Sequence, residues 1–171
     1  FRALVAGGGT GDATIMLASQ LAARGLMAEI THIDISGASL EIARARAAAR
    51  KLDSINFIQA SLNDLTELGL EKFDYIDCCG VLHHLPEPAA GLHSLVAALR
   101  PKGGIGLMLY GRLGRTGVYE AQDLLRLIAD DLPDTERVET ARALLDDLPP
   151  TNWLKRNSHI GDHHNAGDAG I

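Results

Sequence analysis

The chain has 171 residues, of which 46% are hydrophobic and 22% charged, the composition of one folded domain and not of a disordered segment. Sixteen Lys and Arg against 22 Asp and Glu leave a net charge of −6, and aromatics are only 4%, so neither the basic surface nor the stacking platform of a nucleic-acid partner is expected. No apolar run approaches the roughly 20 residues of a membrane helix, so no membrane partner is expected either.

Arg2 to Ala6 is a short apolar run ending in glycines, the pattern of a buried parallel strand. A helix follows from about Asp12 to Arg24, with Gly25 as its stop signal. Ala28 to Ile35 is a second strand, and Ser36 or Ser39 caps an Ala/Arg-rich helix to about Lys51. Ile55 to Gln59 and Phe73 to Cys79 are the third and fourth strands. Pro86-Glu-Pro88 leads into a helix to Leu99, Arg100-Pro-Lys-Gly-Gly104 has the residues of a tight turn, and Ile105 to Tyr110 is a fifth strand. A helix from about Gly117 to Ala129 follows, then one with Asp134 as its cap and no further strand.

Strands alternating with helices predict an α/β fold with a doubly wound, mainly parallel sheet covered on both faces. The strongly patterned part, residues 1–130, is expected to be the core, and 131–171 a helix plus a polar extension. The chain starts at Phe1, within two residues of a strand, and its fifth strand would be a bare apolar edge. Both features are expected of a fragment whose covering strands lie elsewhere. Cys78 and Cys79 are neighbours in an apolar stretch, a poor arrangement for a disulfide, which fits reduced cysteines in a cytoplasmic protein.

The chemical signal begins in Ala3-Leu-Val-Ala-Gly-Gly-Gly-Thr-Gly-Asp12. A loop crossing the carboxyl end of a strand must let a ligand touch its backbone, and a Cβ there collides. A dinucleotide loop has the spacing G-x-G-x-x-G, but starting at Gly7 puts Asp12 at the third glycine and starting at Gly9 puts Thr14 there. Gly7, Gly9 and Gly11 instead give G-x-G-x-G, which suits a nucleoside without phosphates. Asp34, at the end of the second strand, can accept hydrogen bonds from both hydroxyls of a ribose.

These stretches resemble the class I S-adenosylmethionine-dependent methyltransferases. The glycine loop is similar to that family's first motif and His32-Ile-Asp-Ile-Ser36 to its acidic second one. Phe73-Asp-Tyr-Ile-Asp-Cys-Cys-Gly-Val-Leu-His-His-Leu-Pro-Glu-Pro88 and Leu99-Arg-Pro-Lys-Gly-Gly104 resemble two further family stretches. The resemblance implies a strand order 3-2-1-4-5 and S-adenosylmethionine as cofactor, with methyl transfer to an unidentified acceptor, small molecule or protein. It places Ala6, Gly7, Gly9 and Gly11 along the methionine part and ribose, with Asp34 on the ribose hydroxyls. Ile35 would lie on the adenine face, Ser61 and Leu62 at the adenine edge, and Cys79 and Gly80 beside the sulfonium. Two positions depart from the family: Val5 and Ser61 stand where many members carry acidic residues. The stretch from Tyr110 to Ile128 is similar to bacterial methyltransferase domains fused to tetratricopeptide repeats.

Displacement at a sulfonium needs positioning more than a nucleophile or metal, and a base only for weakly acidic acceptors. His83 and His84 are the nearest base candidates; packing against the next helix and capping a loop would explain them equally in kind. Tyr110, Arg112, Arg115 and Tyr119 form either an acceptor rim or a solvated loop. The tail histidines His159, His163 and His164, with Asp162 and Asp168, match no metal-ligand spacing, so no metal is expected. Two alternatives stay open: an inactive methyltransferase-like binding module, and an NAD-dependent oxidoreductase disfavoured by the glycine spacing.

Overall fold

In the computed structural model, which describes residues 1–157, the strand segments pair into one fully parallel sheet. β1 (Arg2–Ala6) lies between β2 (Glu29–Asp34) and β4 (Phe73–Cys79); β3 (Ile55–Gln59) flanks β2, and β5 (Leu99–Met108) flanks β4. The order β3-β2-β1-β4-β5 is the one implied above. It reverses direction at β1, so the loops leaving β1 and β4 diverge and open a crevice at the carboxyl ends of the strands.

Side chains alternate across the sheet, and the sequence places an apolar residue on both faces. Leu4, Ala6, Ile33, Ile76 and Cys78 point to one face, where they pack with Leu62, Leu82 and Leu95. Ala3, Val5 and Ile30 point to the other and meet Ala18. The helices between strands supply the covers: α1 (Asp12–Ala23) buries Thr14, Ile15 and Ala18, α2 (Gly37–Ala49) buries Leu40, Ala43 and Ala47, and α3 (Pro88–Ala98) buries Gly91 and Leu95. Ser36 caps α2 as expected, its hydroxyl oxygen accepting from the Ser39 amide at 3.2 Å. Pro88 takes the first turn of α3, where a missing amide hydrogen costs nothing.

One element differs from the sequence reading. Arg100-Pro-Lys-Gly-Gly104 is not a tight turn; it lies inside β5, which starts at Leu99. Phe73 pairs with Leu99 and Tyr75 with Gly104, so the intervening residues bulge out of the ladder. Pro101 is tolerated because a bulged residue needs no ladder hydrogen bond. Gly103 is required there, since a Cβ would sit 3.0 and 3.1 Å from the Asp74 and Phe73 carbonyls. β5 also ends at Met108, before the expected Tyr110.

The chain divides into two compact units, Phe1–Leu109 and Tyr110–Ile171, so α4 belongs with the second. Among the described residues that unit contains α4 (Val118–Ala129), α5 (Asp134–Asp147) and a short α6 (Trp153–Arg156). Asp134 is the first residue of α5, not its cap; the cap position is Pro133. Ala129, Ala141, Leu145 and Leu154 are its buried apolar residues. No helix among the described residues is long and apolar enough to cross a membrane.

Candidate functional site

A cavity of about 280 Å³ opens at the carboxyl ends of the strands in the first unit. Gly7 enters it from β1, Ile33, Asp34 and Ile35 from β2, Ala60, Ser61 and Leu62 from the turn after β3, and Gly80, Val81, His84 and Leu85 from the turn after β4. Of the residues expected at a cofactor site, the structure therefore brings Gly7, Asp34, Ile35, Ser61, Leu62 and Gly80 to one cavity. Among the two histidines, only His84 reaches its wall.

The glycines have separate reasons. Gly7 has φ +71°, and a Cβ on it would lie 2.5 and 2.8 Å from the Val81 methyls, so loop and turn close on each other through this residue. Gly9 has φ +52° and open space beside its Cα; it leaves room where a ligand backbone contact would fall. Gly11, the N-cap of α1 at φ +95°, is buried, and a Cβ there would meet the Ala43 Cβ at 3.0 Å. It serves the approach of α1 to α2 and does not line the cavity. Ala6 is likewise packed into the core, 1% exposed.

Asp34 organises the loop. Its Oδ2 accepts from the Gly9 amide at 2.8 Å and its Oδ1 from the Ser36 amide at 2.8 Å. Each carboxylate oxygen has a second lone pair, so both remain able to accept from a vicinal diol. Ile35 stands beside it as an apolar surface, 72% exposed among the described residues. Leu62 is buried, and the Ser61 hydroxyl oxygen accepts from the Asn63 amide at 3.1 Å while keeping a second lone pair.

At the end of β4, the Gly80 amide donates to the Met108 carbonyl at 3.1 Å, and Gly80 has φ +75°. The chain then turns through a single 3-10 turn, Leu82–His84, whose His84 amide donates to the Val81 carbonyl at 2.9 Å. The His83 and His84 rings lie 4.2 Å apart, tilted by 55°. Cys78 is fully buried, and burial pushes its thiol up to about 11. Cys79 is exposed but outside the cavity wall; burial of its thiol region and a hydrogen bond to Asp77 Oδ1 at 3.4 Å raise its pKa also. Neither thiol is an activated nucleophile.

The remaining expected groups lie elsewhere. Tyr110, Arg112, Arg115 and Tyr119 belong to the second unit, where the Arg115 guanidinium stacks 3.9 Å over the Tyr110 ring. The tail His159, His163 and His164, with Asp162 and Asp168, falls outside the described residues. Among the described residues no cluster of His, Cys, Asp and Glu is arranged to hold a metal. Sequence reasoning missed Ile33, Val81 and Leu85 as wall residues; each is an apolar neighbour of a residue that had been singled out.

With this geometry in view, likeness to known proteins is informative. The family model described as a methyltransferase domain matches residues 4–105, more than half of the chain, and the chain belongs to that family. An uncharacterized protein of Synechococcus sp. is 38% identical over 158 residues, 91% of this chain and 37% of that one. The ubiquinone biosynthesis O-methyltransferase of Alkalilimnicola ehrlichii is 29% identical over 125 residues, 71% of this chain and 49% of the relative. The chain thus spans half or less of these relatives. PKMT2 from Rickettsia typhi, solved in complex with AdoHcy, is 19% identical and superimposes with a TM-score of 0.65 over 94% of this chain and 31% of that one, a likeness of fold.

Proposed function

We propose that this domain binds S-adenosylmethionine in the cavity at the ends of β1, β2 and β4 and serves methyl transfer to an acceptor. The observation that carries the reading is the Asp34 carboxylate. It is tied to the glycine loop by the Gly9 amide and has one free lone pair on each oxygen, beside an exposed apolar plate at Ile35. That set fits a ribose and an adenine: two vicinal hydroxyl donors, and a flat ring needing an apolar face. The absence of a Cβ at Gly9 leaves the loop backbone approachable, and no phosphate-binding third glycine is present at Asp12 or Thr14.

When bound, the cofactor supplies an activated methyl group on a sulfonium. The chain's own part is to hold and orient. Asp34 holds the ribose, Ile35 and Leu62 enclose the adenine with Ser61 at its edge, and Gly7 and Gly80 offer backbone to the methionine end. His84, exposed at the cavity wall, is placed to take a proton from an acceptor; His83 is not part of that wall. The acceptor is a small molecule or a protein side chain, the setting cytoplasmic, and the similarity of Tyr110 to Ile128 to domains fused with tetratricopeptide repeats supports a multidomain parent. The cavity that would hold the cofactor lies wholly within the first unit, Phe1–Leu109.

The test is isothermal titration with S-adenosylmethionine, AdoHcy and NAD. Micromolar binding of the two sulfur ligands with no NAD binding is the expected result. NAD binding alone would replace this reading with the oxidoreductase one.

A further inference from the structure

One buried polar side chain beneath the cavity is unexplained by packing. In β2 the sequence sets His32 between the apolar cross-strand partners Val5 and Phe57. The side chain is 0% exposed, its ring 5.2 Å from the Phe57 ring of β3 and in register with Val5 of β1. Nδ1 lies 2.7 Å from the Thr14 hydroxyl on α1, itself fully buried. Nε2 is buried without a hydrogen-bond partner. An orphaned ring nitrogen costs stability that a Phe or Leu in the same space would not.

The ring also explains a glycine. Gly8 is not among the glycines with positive φ, so its backbone does not demand glycine. A Cβ there, however, would lie 2.6 Å from His32 Nδ1 and 2.8 Å from Nε2. The imidazole fills the volume of the missing residue-8 side chain and supports the loop from below.

We propose that His32 is a positioning residue of the adenosyl site: its uncharged ring sets the seat of the glycine loop, and a second ring proton displaces the loop and weakens ligand binding. This rests on the adenosyl reading above. On protonation both ring nitrogens become donors. Nδ1 can donate to the Thr14 hydroxyl, and the loop backbone that favours the charged ring is that of Gly9. The same Gly9 is held through its amide by Asp34, so an imidazolium draws on Gly9 and Asp34 together.

The charged groups acting on the ring among the described residues are Asp34 of its own strand and Arg44 of α2. α1 presents Thr14, β1 Val5 and β3 Phe57, all uncharged. Burial dominates and lowers the ring's pKa below 6.5, with Asp34 and the Gly9 backbone opposing and Arg44 adding to the depression. The unfolded chain therefore takes up the proton first as pH falls below about 6.5, and His32's contribution to stability, complete above that value, is lost toward the lowered pKa.

The experiment titrates AdoHcy, which has no group ionising near pH 6, into the protein between pH 8 and pH 5, alongside His32→Phe, which fills the ring volume without a proton site. His32→Gln is the second variant should Phe not fold. Backbone amide shifts of Gly8 and Gly9 are followed in parallel in the ligand-free protein. Wild-type Kd is expected to rise about fivefold across the ring's titration, the effect of a ligand-linked pKa change of somewhat under one unit. The loop amides should move with the ring's midpoint, and the variants' Kd should stay flat within about twofold. An acid limb persisting in the variants, or loop amides that stay still while the ring titrates, overturns the proposal. Failure of AdoHcy to bind the wild type at pH 8 strikes the adenosyl reading instead, and the ligand-free amide titration then decides the positioning role alone.

Discussion

At the ends of β1 and β2 the cavity wall carries Asp34, its carboxylate fixed by two backbone amides, beside Gly7, Ile33 and Ile35, whereas at the end of β4 it consists of Gly80, Val81, His84 and Leu85. The first wall is directional: the Gly9 and Ser36 amides point at Asp34, and His32 and Thr14 meet beneath the loop. The second is mostly shape, with a short turn and apolar side chains. Directional groups recognise a fixed chemical pattern, while shape admits variation. On the adenosyl reading, the β1–β2 wall takes the cofactor and the β4 wall faces the acceptor.

Asp34→Ala attacks the directional wall at its centre. It removes the tie to the Gly9 amide and both ribose acceptors, and hydrogen bonds to a charged group are worth about 1.5–3 kcal/mol each. AdoHcy binding should weaken about a hundredfold or more by isothermal titration, and the thermal melt should fall by several degrees, because the ties from the Gly9 and Ser36 amides are lost in the free protein too. An unchanged affinity would mean that recognition lies on the β4 wall and that the contrast is inverted.

Gly7→Ala tests where the walls meet. The new methyl would need φ +71° and would press on both Val81 methyls. Strain and overpacking of this kind cost about 1–3 kcal/mol, read as a lower denaturant midpoint, and affinity should fall about tenfold as Val81 is displaced. A variant as stable as wild type would show that the two walls are independent.

The parallel strands were legible because each is a compact apolar run bounded by glycine, proline or a capping serine, and local pattern suffices there; their order 3-2-1-4-5 followed from the family resemblance, not from any local signal. The start of β5 was not. Arg100-Pro-Lys-Gly-Gly104 carries the residues of a turn, and the same residues suit a bulge; only the pairing of Tyr75 with Gly104 decides between them. At the site, Asp34 and the spacing of Gly7, Gly9 and Gly11 were legible in the chain, but the grouping was not uniform. Gly11 proved to be a helix contact, and Ala6 a core residue. Gly8 and His32 escaped notice because their relation is one of volume across two strands, which no spacing in sequence displays.

The smallest effect is expected at His84. Its ring borders the cavity but is exposed, and its backbone amide holds the turn through the Val81 carbonyl. Glutamine keeps the length and polarity of the side chain, so His84→Gln should leave AdoHcy affinity within about threefold of wild type and the melt unchanged. His83→Gln is the control from the same turn, since His83 does not line the cavity. A loss at His84 approaching that of Asp34→Ala would make the β4 wall as directional as the β1–β2 wall. A small loss fits the proposed role of His84, in which it faces the acceptor and not the adenosyl group.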